Sequence, residues 1–445
     1  MRYVAVAAGF DGTLAREDRC DERCIDALKA LATTGRKLIL VTGRGLRDLL
    51  EIFPEARLFD FVVAENGAVM HQPATRESRI LAQAPPEILL QELRRRHVTP
   101  LSVGSSIVTT VQANEREVAE ALRKLQLDFQ LVTNPGALMM LPAGVNKASG
   151  VWAALKELGV SRHNLVAIGD GENDLALFEF AEHAVAVQNA DPLVKRMADR
   201  TTLGEYCDGF LELVQDLVRS DLADALPRHR IVLGFGPDRQ EAQLAPCRDW
   251  LLVHGPRGSG KAALVCRLLE QLVSLSYQCC LIGADLGQSA PLTSGLKKFG
   301  HAHEAPRLTD ILAALEKPNA SVAVNLAALP VESRPVFTDA LLLQLQALHD
   351  RLGRPHAVLM HEAHAFVAGG TLATAPARFS EVTMVFATSE PAQLPSQVLG
   401  SIHWIVDAAT QTITAGRGAS WAAPLPPGSG SDPRSSSGAA TACPY

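Results

Sequence analysis

Short apolar runs alternate with polar, turn-rich clusters along most of the chain. The stretches at 3–8 (YVAVAA) and 37–41 (KLILV) are almost continuously hydrophobic, and each runs into a turn-like cluster. That pattern predicts strands buried on both faces of a parallel sheet, with functional loops at their ends. A helical stretch at 22–34 lies between them. From 68 to 143 the character changes: SSIVTTV and DFQLV read as strands, while EREVAEALRKL carries Val118, Leu122 and Leu125 at helical spacing, with Glu120 and Lys124 four apart. This segment is expected to be a small α+β insertion. The β/α rhythm resumes at 147, with strands expected in 163–170 and 183–190, and the first module is expected to close near 225.

After a proline-containing joint at 224–229, strands are expected at 231–236 and 250–255, the second of which opens a glycine-rich loop before a helix at 262–275. Apolar strands follow at CCLIGA, SVAVNLAAL, AVLMHEAH and VTMVFAT, separated by helical stretches such as ALLLQLQALHDRL. The alternation predicts a second, mostly parallel α/β sheet. Residues 422–445 are rich in Pro, Gly, Ser and Ala and are expected to form a disordered tail. No internal repeat of solenoid period is present.

The chain has 445 residues, 47% of them hydrophobic and 20% charged, which suits two to three compact modules and excludes a fibrous or wholly disordered chain. With 42 basic against 48 acidic residues, the net charge of -6 offers no broad attraction to nucleic acid or to an anionic membrane. The eight cysteines are scattered without a paired C-x-x-C spacing, and Cys20 and Cys24 read as thiols on one helix face in a reducing compartment. No apolar run reaches the ~18 residues of a membrane span, and the start of the chain runs straight into a strand, so a cytoplasmic protein is expected.

Candidate chemistry sits at the strand ends. Gly9-Phe10-Asp11-Gly12-Thr13-Leu14 places an acid, a glycine and a hydroxyl where open α/β sheets bind ligands. Thr42-Gly43-Arg44 ends the second apolar run, and its hydroxyl and backbone N–H groups suit phosphate oxygens. Lys147 follows, and then the loop Gly169-Asp170-Gly171-Glu172-Asn173-Asp174, whose carboxylates four apart suit a hard cation such as Mg²⁺.

Across roughly residues 1–220 these four motifs, FDGT, T-G-R, the basic Lys147 and GDGEND, resemble the haloacid dehalogenase superfamily of phosphohydrolases. Glu65-Asn66-Gly67, leading into the insertion, resembles the C2-capped, Cof-like or sugar-phosphatase branch. The resemblance implies a Rossmann-like core (1–67 and 144–225) and a cap (68–143) that selects small phosphate esters. It also implies that Asp11 is the general acid/base, that Thr42 and Lys147 bind the transferring phosphoryl group, and that Asp170 and Asp174 hold or support Mg²⁺. Gly12, Thr13, Gly43, Arg44 and Asn173 would complete the ester site. One departure stands out: the family's first motif is D-x-D-G-T, and its leading nucleophilic aspartate is Gly9 here. Glycine has no group with which to attack.

In the second module Gly255-Pro256-Arg257-Gly258-Ser259-Gly260-Lys261 fits G-x-x-x-x-G-K between a strand and a helix. Its amides would cradle phosphates and Lys261 would reach the outer ones. His361-Glu362-Ala363-His364 resembles the D-E-A-H element of HerA/FtsK-like P-loop ATPases, over roughly 226–421, with Glu362 at the water-polarising position. The residue after the lysine is Ala262 rather than Ser or Thr, and the metal-supporting acid is His361. Binding of ATP or another nucleotide is expected. Gly9, Ala262 and His361 each remove an oxygen ligand while the phosphate-cradling residues survive. The expected function is a Mg²⁺-dependent phosphohydrolase of small phosphate esters with impaired catalysis, fused to a nucleotide-binding module. The alternatives are a phosphate- or nucleotide-binding pseudoenzyme, or an ATPase modulated by the first module.

Overall fold

A computed structural model describes residues 1–134, 136–235, 240–286, 293–367 and 379–416; the tail expected at 422–445 lies outside the described residues. Two eight-stranded sheets organise the chain. In the first, the order is Arg200–Thr201, His183–Ala186, Leu165–Gly169, Ala5–Gly9, Lys37–Val41, Phe61–Ala64, Val69–Gln72, Glu77–Ile80. The first six run parallel, Val69–Gln72 pairs antiparallel with Phe61–Ala64, and Glu77–Ile80 pairs antiparallel with Val69–Gln72. Every residue of Ala5–Gly9 and Leu165–Gly169 is buried, as their uninterrupted apolar runs require in a sheet covered on both faces. The sheet thus takes in the hairpin at 69–80, past the boundary expected at 67. All four residues of Glu77–Ile80 are exposed, so this edge strand carries no apolar signature.

The inserted segment forms a four-stranded antiparallel sheet in the order Phe129–Asn134, Ala137–Pro142, Val108–Val111, Ser102–Val103. Strand alternation splits its apolar residues. Leu138 and Met140 pack with Leu89, Leu93, Val118 and Leu122 of the helices Glu87–Arg95 and Glu115–Leu125, while Met139, Leu141 and the cap's own Ile107 cluster with Ala68 of the core. The cap is therefore seated on the core.

The second sheet runs Lys297–Phe299, Val322–Asn325, Cys279–Gly283, Ala357–His361, Thr383–Thr388, Trp250–His254, Trp404–Asp407, Thr412–Ala415, parallel except for its last strand. The strand expected at 231–236 forms instead a separate two-stranded ribbon, Ile231–Phe235 with Glu241–Leu244. No helix among the described residues is long and apolar enough to cross a membrane.

The two sheets meet at their N-terminal edges through buried polar groups. Asn164 Nδ2 donates to the carbonyls of Arg2 (2.7 Å) and Gly353 (2.9 Å). Glu182, deeply buried, accepts from Arg2 (2.9 Å) and lies 2.7 Å from His163 Nδ1, whose Nε2 faces the Leu275 carbonyl at 2.7 Å. The His163 ring stacks on Tyr277 at 3.8 Å. Burial opposes ionisation of Glu182, but His163 and Arg2 overcome it and hold the carboxyl at about 2. Each sheet's C-terminal edge consequently lies about one strand length, ~16 Å, beyond this junction on its own side.

Candidate active site

Ala5–Gly9 sits where the strand order reverses, between Leu165–Gly169 and Lys37–Val41, and the loops after these strands surround one crevice. The structure brings together the residues expected from the four motifs. Thr13 Oγ1 donates to Asp170 Oδ1 at 3.0 Å. Thr42 Oγ1 donates to Asp11 Oδ2 at 3.3 Å and accepts from the Arg44 amide at 3.0 Å. Lys147, at the start of the helix Lys147–Leu158, donates to Asp174 Oδ1 at 2.7 Å, with both side chains buried. Asn146 caps that helix in a reciprocal pair with Ser149, which fixes where Lys147 emerges.

Glycines make the close approaches possible. Gly12 has φ +72°, and a Cβ there would lie 1.9 Å from Asp170 Oδ2. A Cβ on Gly9 would meet Thr13 Oγ1 at 2.9 Å, so a side chain at residue 9 would require that hydroxyl to rotate.

The charges in the pocket largely satisfy one another. Arg44 grips Asp11 through Nε (2.8 and 3.0 Å) and Nη2 (2.7 Å), and also pairs with Asp18 and Asp48. Asp174 Oδ2 accepts from the amides of Asp170 and Gly171, both at 3.2 Å, while its Oδ1 takes Lys147. Asp170 is raised to about 6, chiefly by burial and then by the negative charge of Asp174. The residues do not fit a resident Mg²⁺: Gly9 offers no carboxylate, Asp174 is committed to Lys147 and two amides, and Asp11 to Arg44. Among the described residues no three His, Cys, Asp or Glu groups converge as ligands.

Three groups near the crevice carry roles that the motifs do not announce. Asn66 accepts from Asn173 Nδ2 at 3.0 Å and donates to the cap's Met139 sulfur at 2.9 Å, tying the fourth-motif loop to the lid. Glu65, buried and at φ +51°, accepts from the amides of Ser105 and Ser106 in the cap, each at 3.0 Å. Asn189 donates to the Gly12 carbonyl at 2.7 Å. Two adjacent non-glycine residues at positive φ, Glu65 and Asn66, mark the passage between core and cap as locally strained. The Glu-Asn-Gly tripeptide was a sequence signal for that passage; Met139 and Asn189 gave none.

The glycine-rich loop of the second module follows the C-terminal end of Trp250–His254 in the second sheet. Gly255, Gly258 and Gly260 all have positive φ, and Lys261 begins the helix Lys261–Ser274. Lys261 Nζ donates to the loop's own carbonyls at Gly255 (2.8 Å) and Pro256 (3.0 Å) and lies 3.6 Å from Glu362. Glu362 also accepts from Ser389 at 3.2 Å. The Ser259 hydroxyl oxygen is buried without a partner. Ala262 follows Lys261 directly, and burial depresses the His361 imidazole.

A family model for haloacid dehalogenase-like hydrolases matches residues 6–91 and 102–214. The phosphoglycolate phosphatase of Methanothermobacter thermautotrophicus is 32% identical over 219 residues, which span 47% of this chain and 97% of that protein. That of Haloarcula marismortui is 30% identical over 215 residues, 46% of this chain and 93% of that protein. A solved haloacid dehalogenase-like hydrolase from Bacteroides thetaiotaomicron is 23% identical and aligns over 48% of this chain and 99% of its own, with a TM-score of 0.44. In its N-terminal half, this chain belongs to the haloacid dehalogenase-like hydrolase family.

Proposed function

We propose that the N-terminal pocket binds a small phosphate ester and hydrolyses it poorly, because the position of the attacking carboxylate is Gly9. The observation that supports this most is the convergence of Asp11, Thr42, Lys147 and Asp170 on one crevice under the cap, with no carboxylate at residue 9. Thr42, the amides of Gly43 and Arg44, and Lys147 are the groups that hold phosphoryl oxygens. Arg44 and Lys147 exchange part of their pairing with Asp11 and Asp174 for the ester's negative charge. Asp11, once freed from Arg44, is placed to protonate a leaving oxygen. Phosphoglycolate, the substrate in the names of the two archaeal relatives, is the first ester to test. Since the carboxylates do not fit a resident Mg²⁺, the ester is bound through these cationic and amide groups with or without the ion. Calorimetric titration of phosphoglycolate should give similar affinity with and without Mg²⁺, and Thr42→Ala should weaken it at least tenfold. No heat under either condition removes the basis of the proposal.

A second reading concerns the other module and rests on the approach of Lys261 to Glu362 across the mouth of the glycine-rich loop. The strands carrying them, Trp250–His254 and Ala357–His361, are separated by one strand, Thr383–Thr388, so their C-terminal ends open on one crevice. This supports a P-loop nucleotide site in which Lys261 swings from the loop carbonyls to a phosphate. Ala262 and His361 leave it short of metal ligands, so binding outlasts hydrolysis. ADP and ATP should bind the unaltered chain, and Lys261→Ala should abolish that binding; equal affinity in the variant contradicts it.

A further inference from the structure

A cavity of about 490 Å³ lies where the two modules meet. Arg2, Leu222 and Ala223 of the first module line it together with Arg248, Glu381 and His403 of the second. Arg2, Arg248, Glu381 and His403 each stand within three residues of the start of a strand, respectively Ala5–Gly9, Trp250–His254, Thr383–Thr388 and Trp404–Asp407, so the cavity sits at the N-terminal edges of both sheets. The ester pocket and the glycine-rich loop lie at the C-terminal ends of their strands. The cavity is therefore separate from both, and its volume falls in the roughly 300–1,000 Å³ range of small-molecule sites. A Cβ on Gly400, which also lines it, would have nothing within 4 Å.

The charges around this cavity do not balance. Its one carboxylate, Glu381, already has partners: the Met1 ammonium at 3.7 Å and His349 Nε2 at 3.8 Å. Arg248 is half-buried, and among the described residues it has neither a carboxylate partner nor a hydrogen-bond acceptor. Arg2 is deeply buried; it gives Nη2 to Glu182 at 2.9 Å and Nη1 to the Ala225 carbonyl at 3.4 Å, while its Nε has no acceptor. His403 Nδ1 accepts from the Trp250 amide at 3.0 Å, which places the proton of the neutral ring on Nε2 as a further donor. Cationic groups withdrawn from water without a counter-charge are costly, and an anion entering the cavity removes that cost.

We propose that this cavity binds a small organic anion bearing a carboxylate or phosphate group, with Arg248 and the His403 Nε2–H holding the charged end and Leu222 and Ala223 covering the carbon skeleton. The shared chemistry is an oxyanion on a body of a few carbons, which the guanidinium of Arg248 takes through paired N–H donors. Arg2 adds positive charge from behind. Because both modules supply the walls, an occupant touches both at once and binds only while they are docked, so it stabilises the folded chain by mass action.

The test is calorimetric titration of the full chain with glutarate and with glycerol 3-phosphate, using uncharged glutaramide as the control, alongside melting curves. At least one of the two acids should bind saturably at millimolar concentration and raise the melting temperature, while glutaramide does neither; the acid that binds tells carboxylate from phosphate recognition. Arg248→Ala should weaken that binding at least tenfold, whereas Thr42→Ala and Lys261→Ala should leave it unchanged. No saturable binding of either acid overturns the proposal, as does binding that is lost in Thr42→Ala or Lys261→Ala and kept in Arg248→Ala. Should Arg248→Ala fail to fold, Gly400→Leu decides: its side chain fills the cavity and should abolish the binding, and unchanged affinity refutes the site.

Discussion

Replacing Gly9 with aspartate tests the proposal that the N-terminal pocket is short of an attacking carboxylate. Loss of an attacking group costs on the order of 10⁶ in turnover, or about 8 kcal/mol of barrier. Not all of that returns. A Cβ at residue 9 falls 2.9 Å from Thr13 Oγ1, so the hydroxyl must rotate and give up its 3.0 Å bond to Asp170. That hydrogen bond is worth about 1 kcal/mol. A further carboxylate beside Asp170, already raised to about 6, adds like-charge crowding. Crowding of this kind costs roughly 1–2 kcal/mol. About 5 kcal/mol remains, a gain on the order of 10⁴ in phosphate release. The assay is inorganic phosphate release from phosphoglycolate by the parent and Gly9→Asp, each with and without Mg²⁺. The gain should appear only with Mg²⁺, because the new carboxylate supplies an oxygen ligand that the parent pocket lacks. A folded Gly9→Asp that binds phosphoglycolate like the parent but turns it over less than tenfold faster refutes the reasoning.

Further outcomes follow from buried groups. Glu182→Gln leaves Arg2 and His163 without their buried counter-charge and should lower stability by about 3–5 kcal/mol in urea unfolding, whereas an unchanged midpoint shows that the junction holds without it. Burial depresses the His183 imidazole to about 4, with Asp199 only partly opposing, so the unfolded chain takes up this proton first as pH falls. This contribution to stability should be intact above about pH 6.5 and lost between there and pH 4, and His183→Gln should flatten the profile in that window. Gly12→Ala forces a Cβ to within 1.9 Å of Asp170 Oδ2 at φ +72° and should both lower the melting temperature and weaken ester binding; a variant that melts and binds like the parent contradicts the packing.

The loops at the strand ends are legible in the sequence because each follows an apolar run whose end is unambiguous, as Lys37–Val41 runs into Thr42. The cap boundary does not, because the edge hairpin ending in Glu77–Ile80 is solvated and reads as the start of an insertion. Nor does the pairing of Arg44 with Asp11 and of Lys147 with Asp174, which depends on loops far apart in sequence reaching one crevice. Asn164, Glu182 and Tyr277 look like ordinary loop residues along the chain. Only docking of two sheets at their N-terminal edges buries them, and no local pattern records a docking surface.

The central proposal is a pocket that holds a phosphate ester and turns it over poorly for want of a carboxylate at residue 9. Phosphorus NMR of the unaltered chain with phosphoglycolate and Mg²⁺ observes both properties in one sample. The account predicts a broadened or shifted ester resonance and no inorganic phosphate signal above that of a protein-free control. An inorganic phosphate peak growing over many turnovers, abolished by Lys147→Ala, contradicts it.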